Sequence, residues 1–103
     1  MQIQIRWSDV DKSDALSQHV EQQVEHAMRH HADRFTRIEV HIHDDNGGKG
    51  GPDDKRCTIE ARPRGADPFV VEGASDDHYK TVADVCKKLE RAARHFVERH
   101  RDH

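Results

Sequence analysis

The sequence is poor in the residues that build large hydrophobic cores. Leucine, isoleucine, valine and phenylalanine together make up about 18% of its 103 residues, and it has one tryptophan and one tyrosine. So low a share occurs in disordered chains, but these also carry a high net charge. Here the formal net charge is only −3 and the apolar residues recur at regular spacing. We therefore expect one folded domain over residues 1–103, with a thin core.

Cysteine and long apolar runs are also scarce. The two cysteines, Cys57 and Cys86, provide no disulfide framework, and both fall at apolar positions where a reduced thiol acts as a small core residue. No stretch approaches the ~20 apolar residues that cross a bilayer. The first residues, MQIQIRW, lack the basic and apolar segments of a secretory signal. The sequence therefore predicts a cytoplasmic protein without a membrane anchor.

Apolar periodicity predicts the element order β-α-β-β-β-α. Alternation predicts strands at 2–7, 38–43 and 57–62, and a fourth strand is predicted at 69–73. Three- and four-residue spacing predicts one helix that opens at Ser13 and a second from His78 to about His100, with Tyr79 among its inward residues. Such a chain is of the α+β class, with two helices packed on one face of a four-stranded sheet.

The connection between the second and third strands is rich in glycine and aspartate. It runs HIHDDNGGKGGPDDKRCTIE over residues 41–60. A nucleotide-binding phosphate loop needs Ser or Thr after its lysine and a helix behind it, and Lys49 has neither. A calcium loop needs alternating oxygen ligands and a distant glutamate, whereas Asp44, Asp45 and Asn46 are consecutive. The segment therefore predicts a long hairpin connection.

Charge is unevenly distributed along the chain. Residues 80–103 carry seven basic and four acidic side chains, while residues 1–79 carry 10 basic and 16 acidic ones. On the predicted second helix, an exposed stripe and its flank carry the cations Lys80, Lys87, Lys88, Arg91 and Arg94. This spacing suits contacts with the phosphates of a nucleic acid. Acidic residues share the stripe, however, and charge alone favours a solvated helix face.

Ten histidines suggest a second kind of site. His26 and His30, four apart on the first predicted helix, could share a metal ion, and Glu39, His41 and His43 point to one side of a strand. No Cys/His set has zinc-finger spacing, and exposed imidazoles are the commoner case. We therefore expect no cofactor. No nucleophile and base, and no paired carboxylates in an apolar pocket, are placed for catalysis, so the sequence does not predict an enzyme.

Five short motifs together resemble one known family. They are MQIQI at the N-terminus, SDAL at 13–16, GGPDDKRC at 50–57, DHY at 77–79 and KLER at 88–91. Their order and spacing resemble the ribosome hibernation-promoting factor family, also called ribosome-associated inhibitors, over the whole chain. The resemblance implies binding to ribosomal RNA of the small ribosomal subunit, in the channel of messenger and transfer RNA. It implies a block of translation under stress, with no small-molecule substrate.

The resemblance also implies which residues contact RNA. By motif these are Lys88 and Arg91, with Lys80, Lys87 and Arg94 as neighbours on the same face. It implies the short form of the family, without the C-terminal domain that pairs two ribosomes in long members, and our expectation is a monomer. Two alternatives stay open: a histidine-rich metal-binding protein, and a general RNA-binding protein of the double-stranded-RNA kind, although those domains usually begin with a helix.

Overall fold

The computed structural model describes residues 1–45 and 53–100. Its elements are β1 (Gln2–Ser8), α1 (Asp14–Ala27), a 3-10 turn (Ala32–Arg34), β2 (Phe35–Asp44), β3 (Lys55–Pro63), β4 (Phe69–Ser75) and α2 (His78–His100). The predicted order β-α-β-β-β-α is confirmed, with one additional short turn before β2. No helix within these ranges is both long and apolar enough to cross a lipid bilayer.

The four strands form one mixed sheet in the order β1-β2-β3-β4. β1 is parallel to β2, since α1 crosses over between them, and the two hairpin connections make β3 antiparallel to both of its neighbours. The register pairs Ile5 with Val40, and Val40 with Ile59. The alternating positions of neighbouring strands therefore face the same side of the sheet.

The core lies between one face of this sheet and the two helices, as the sequence predicted. Its fully buried members include Val24 of α1, Ile38 and Ile59 of the sheet, and Leu89 of α2. The rings of Phe35, Phe69 and Phe96 close one end, with centroids 5.7–6.2 Å apart. This spacing is typical of favourable aromatic pairs. Most of the scarce large side chains are thus concentrated in a single layer.

Cys57 and Cys86 both lie in this core, as expected, and neither forms a disulfide. Burial raises the pKa of each thiol to about 12, with the nearby Cys86 sulfur adding to the effect at Cys57. A thiol with such a pKa is neutral at physiological pH, and the thiolate is the reactive form. Both cysteines are therefore packing residues.

Charged side chains hold the base of the β2–β3 hairpin. Lys55 Nζ lies 2.5 Å from Asp44 Oδ2 and 3.6 Å from Asp54 Oδ2, and both carboxylates are buried. The main-chain N–H of Asp45 donates to the carbonyl of Asp54 at 3.1 Å. The predicted hairpin connection falls mainly on residues 46–52, which lie outside the described ranges.

One inward position was wrongly predicted. Tyr79 is 43% exposed, although helical spacing places it on the apolar face of α2. It lies in the first turn of α2, where its ring packs at 5.0 Å against the imidazole of His19 on α1. Its carbonyl is 3.1 Å from His19 Nε2. Tyr79 therefore links α2 to α1 at the exposed edge of the helix pair, outside the core.

Candidate nucleic-acid interface

A basic cleft lies between the two helices. It has a volume of about 590 Å³ and is lined by residues of α1, of the turn after it, and of α2. Arg29 contributes a cation from the α1 side, and Lys87, Arg91 and Arg94 contribute cations from α2. Among the described residues that line the cleft, Glu90 is the only carboxylate. Like charges gathered in a concave surface reinforce one another's potential, so this cleft favours an anionic partner.

Helical periodicity places the α2 cations at the cleft. The buried face of α2 includes Val82, Val85 and Leu89, which pack on the sheet. Lys87, Arg91 and Arg94 recur at three- and four-residue spacing on the other side, and all three are exposed. They therefore project from one flank of the helix, as side chains at this spacing do.

Small residues and local hydrogen bonds define the cleft further. Ala27 of α1 and Ala83 of α2 belong to its lining, and short side chains here leave space between the helices. Arg29 Nη1 donates to the carbonyl of His26 at 2.6 Å, in the last turn of α1 where carbonyls lack helical partners. Arg94 Nη1 donates to Glu90 Oε1 at 3.1 Å across one turn. Both arginines are thereby oriented while remaining exposed.

The five cations singled out in the sequence do not form one group. All are exposed, but only Lys87, Arg91 and Arg94 line the cleft. Lys88 lies on the opposite flank of α2, where its Nζ donates to the main-chain carbonyl of Glu72 in β4 at 2.8 Å. Lys80 lies in the first turn of α2, outside the cleft lining.

Sequence reasoning missed Arg29. It follows α1 directly, in the sequence MRHH, and no motif marks it. Its place in the cleft depends on α1 and α2 being neighbours, which periodicity within one helix does not reveal. The basic run after an amphipathic helix was the only available signal.

The DHY motif has a structural role. Asp77 Oδ1 accepts from the main-chain N–H of Tyr79 at 2.7 Å, which satisfies one of the unpaired amides at the start of α2. The Asp77 carbonyl accepts from the Ser75 hydroxyl at 2.8 Å and from the main-chain N–H of Thr81 at 2.9 Å. Asp77 therefore sets where the helix that carries the α2 cations begins.

The histidines of β2 lie on the open face of the sheet. The rings of His41 and His43 stack at 4.5 Å. His41 Nε2 is 2.7 Å from Ser8 Oγ, and His43 Nε2 is 3.3 Å from Thr58 Oγ1. Partial burial, followed by the charges of His43 and Arg6, lowers the pKa of His41. This ring is therefore held neutral to lower pH than an ordinary histidine.

Glu39 shares that open face but is committed to ion pairs. Its Oε2 lies 3.0 Å from both Arg37 Nη2 and Arg62 Nε. Over residues 1–45 and 53–100, no three histidine, cysteine, aspartate or glutamate side chains gather closely enough to hold a metal ion. The grouping of Glu39 with His41 and His43 as three ligands is therefore not formed.

The placement of His30 on the first helix is wrong, because α1 ends at Ala27. His26 lines the basic cleft, where neighbouring cations disfavour a metal ion. His30 lies in the turn beyond α1, with its ring edge-on to His31 at 6.4 Å. The alternative of a histidine-rich metal-binding protein stays a prediction.

Comparison with known proteins gives a consistent likeness. The sequence model of the family described as "Sigma 54 modulation protein / S30EA ribosomal protein" matches residues 3–101. A ribosomal subunit interface protein from Coxiella burnetii is similar, with a TM-score of 0.79 and 26% identity over 93% of this chain and 97% of that one. The N-terminal domain of Thermus thermophilus Protein Y shares the fold, with a TM-score of 0.75 and 19% identity over 93% and 99%. Among curated protein sequences, none matches.

Proposed function

Since the chain belongs to the sigma 54 modulation protein / S30EA ribosomal protein family, we propose that it is a ribosome-associated hibernation factor that inhibits translation. Of the two solved structures compared above, the one with the higher sequence identity is named a ribosomal subunit interface protein. This name supports a ribosomal partner for this chain as well. We assign it to the small ribosomal subunit, in the channel that holds messenger and transfer RNA.

The observation that carries this assignment is the basic cleft. It brings together cations from two separate elements, Arg29 beside α1 and Lys87, Arg91 and Arg94 on α2, against the single carboxylate of Glu90 among its described lining residues. The phosphates of a folded RNA are spread over a surface. Cations on both sides of a cleft can therefore contact more phosphates than cations along one helical stripe. The overall charge of −3 does not oppose this, because local charge governs contact at a Debye length of ~8 Å.

The mechanism is steric. A folded protein with principal extents of 49 × 23 × 19 Å occupies space that RNA substrates of the ribosome need, and phosphate contacts hold it there. No bond has to be made or broken. The histidines and thiols then need no catalytic role, which agrees with the neutral, buried state of both cysteines.

Sedimentation with purified small ribosomal subunits tests the proposal. The wild-type protein should co-sediment at low salt and be released as salt rises. If about four phosphates are neutralised, log affinity should fall with log salt at a slope of roughly −3 to −4. Lys87→Glu with Arg91→Glu should weaken binding at least about tenfold and reduce that slope by about two.

Two control variants make the result specific. Lys12→Glu changes an equally exposed lysine away from the cleft and should bind like the wild type. Lys88→Glu should weaken binding less than Arg91→Glu, because the Lys88 ammonium already contacts Glu72. Equal losses in all variants would argue for a non-specific charge effect. Equal affinity for unrelated RNA would favour a general RNA-binding protein, and no co-sedimentation at any salt would overturn the proposal.

A further inference from the structure

Among the described residues no strand pairs with the outer side of β1, and a groove lies along this edge that is apolar on its β1 side and polar on its α1 side. β1 has β2 as its neighbour on one side, and its other side is the end of the sheet. Ile3, Ile5 and Trp7 point toward the helix layer but remain half-buried, because α1 does not cover them fully. Together with residues of α1 they line a groove of about 540 Å³.

The opposite edge of the sheet is protected differently. At β4, Lys88 Nζ contacts the main-chain carbonyl of Glu72 at 2.8 Å. A lysine placed against an edge strand is a common device that discourages pairing with another chain. β1 has no such contact among the described residues. Its seven residues contain neither proline nor glycine, and their register against β2 is regular from Gln2 to Ser8. β1 is therefore the edge suited to further strand pairing.

The sequence of β1 is self-complementary in antiparallel pairing. When a second copy of β1 is placed about a two-fold axis at Ile5, the two Ile5 residues lie opposite each other. Ile3 then lies opposite the partner's Trp7. These apolar pairs lie on the helix side and extend the core across the seam. On the open side, Gln4 faces the partner's Arg6, so no like charges oppose one another. The same strand thus supplies matched side chains on both faces.

The ends of the groove are also complementary in charge. α1 follows the C-terminal end of β1 and runs back along it to reach the start of the parallel strand β2. Lys12 therefore lies at the Trp7 end of the groove and Glu21 toward the Ile3 end, and both residues line it. The two-fold axis brings the Trp7 end of one copy beside the Ile3 end of the other, so Lys12 approaches the partner's Glu21.

We propose that the β1 edge pairs with β1 of a second copy of this chain, joining two four-stranded sheets into one of eight strands. One strand pair buries less than the ~1,200 Å² of a standard interface, so the association is weak. We expect a dissociation constant on the order of 100 µM, which leaves the expected monomer dominant at low concentration.

Sedimentation velocity of the protein alone tests this pairing, from about 1 µM to about 1 mM across the expected dissociation constant. Gln4 is exposed, so its substitution leaves the core intact. Gln4→Glu places an opposite charge across from the partner's Arg6 and should tighten the dimer, while Gln4→Lys places a like charge there and should weaken it. Because each pair occurs twice, each shift should be about 2- to 30-fold.

Val70→Lys provides the control at the other edge. Val70 is an exposed residue of β4, and its substitution should leave self-association unchanged. A monomer at every concentration would overturn the proposal, as would equal shifts of the same direction in both Gln4 variants. Loss of the dimer in Val70→Lys would mean that the two copies pair through β4 rather than through β1. Since no ribosome is present, these outcomes are independent of the proposed function.

Discussion

Thr81 joins three elements through one buried hydroxyl. It is 1% exposed, and its Oγ1 lies 2.9 Å from the carbonyl of Lys55 in β3 and 2.5 Å from Ser75 Oγ in β4. Thr81→Val keeps the shape of the side chain and removes the hydroxyl, which leaves those groups short of a partner away from water. We expect the free energy of unfolding, measured by urea denaturation, to fall by about 1–3 kcal/mol.

The matched control is Thr36→Val. Thr36 Oγ1 also donates to a main-chain carbonyl, that of Arg62 at 3.1 Å, but the residue is exposed. Water can replace the lost hydroxyl there, so the change in unfolding free energy should stay within about 0.5 kcal/mol. Equal losses in the two variants would mean that burial is not what gives the Thr81 contacts their effect.

The burial of a residue was predictable where its position within one strand or helix determines it. Cys57 and Cys86 fall on the inward faces that alternation and helical spacing indicate, and both are buried. The contacts of Lys88 and Tyr79 depend on residues of neighbouring elements. The partner of Lys88 is a main-chain carbonyl of β4, and Tyr79 packs on His19 of the other helix. No pattern within α2 carries that information.

At the scale of an element, α2 depends on its first turn. Asp77→Ala removes the carboxylate that accepts from the N–H of Tyr79 at 2.7 Å, so the first amides of α2 lose a partner. We expect the free energy of unfolding to fall by about 1 kcal/mol, as measured by thermal or urea denaturation. Asp77→Asn should retain most of the stability, because an amide oxygen also accepts this bond.

Asp76→Ala is the neighbouring control for this cap. Asp76 is exposed and lies one residue before the capping position, so its loss should change the unfolding free energy by less than about 0.5 kcal/mol. If Asp76→Ala and Asp77→Ala destabilise equally, general charge near the helix terminus would be the cause, and the assignment of Asp77 as the cap would fail.

Elements were predictable in type, but their ends were less so. Alternation predicts a strand at 38–43, whereas β2 runs from Phe35 to Asp44, because pairing with β3 continues beyond the alternating residues. α1 ends at Ala27, since Met28 leaves helical geometry with φ −101° and ψ 8°. The extension of β2 arises from pairing with β3, which local propensity does not contain.

At the scale of the whole molecule, the strand order and the pairing of the helices position the candidate site. Periodicity predicted two helices on one face of a sheet, and this is confirmed. It did not predict that Arg29 would face Arg91 across a cleft. The cations between the helices meet a single carboxylate among the described lining residues of the cleft, whereas on the open face Arg37 and Arg62 both pair with Glu39. A chain with net charge −3 can therefore present a positive surface.

Protonation of the histidines should strengthen that surface. Ten histidines would move the formal charge from −3 to +7, so affinity for small ribosomal subunits should rise as pH falls through ~6.5 at constant ionic strength. His26 lines the cleft, and His26→Gln should reduce this gain. His41 lies on the opposite face, and partial burial together with the charges of His43 and Arg6 lowers its pKa, so His41→Gln should leave the gain unchanged. Equal affinity of the wild type above and below pH ~6.5 would contradict the prediction. Equal effects of the two variants would mean that overall charge, rather than charge at the cleft, governs binding.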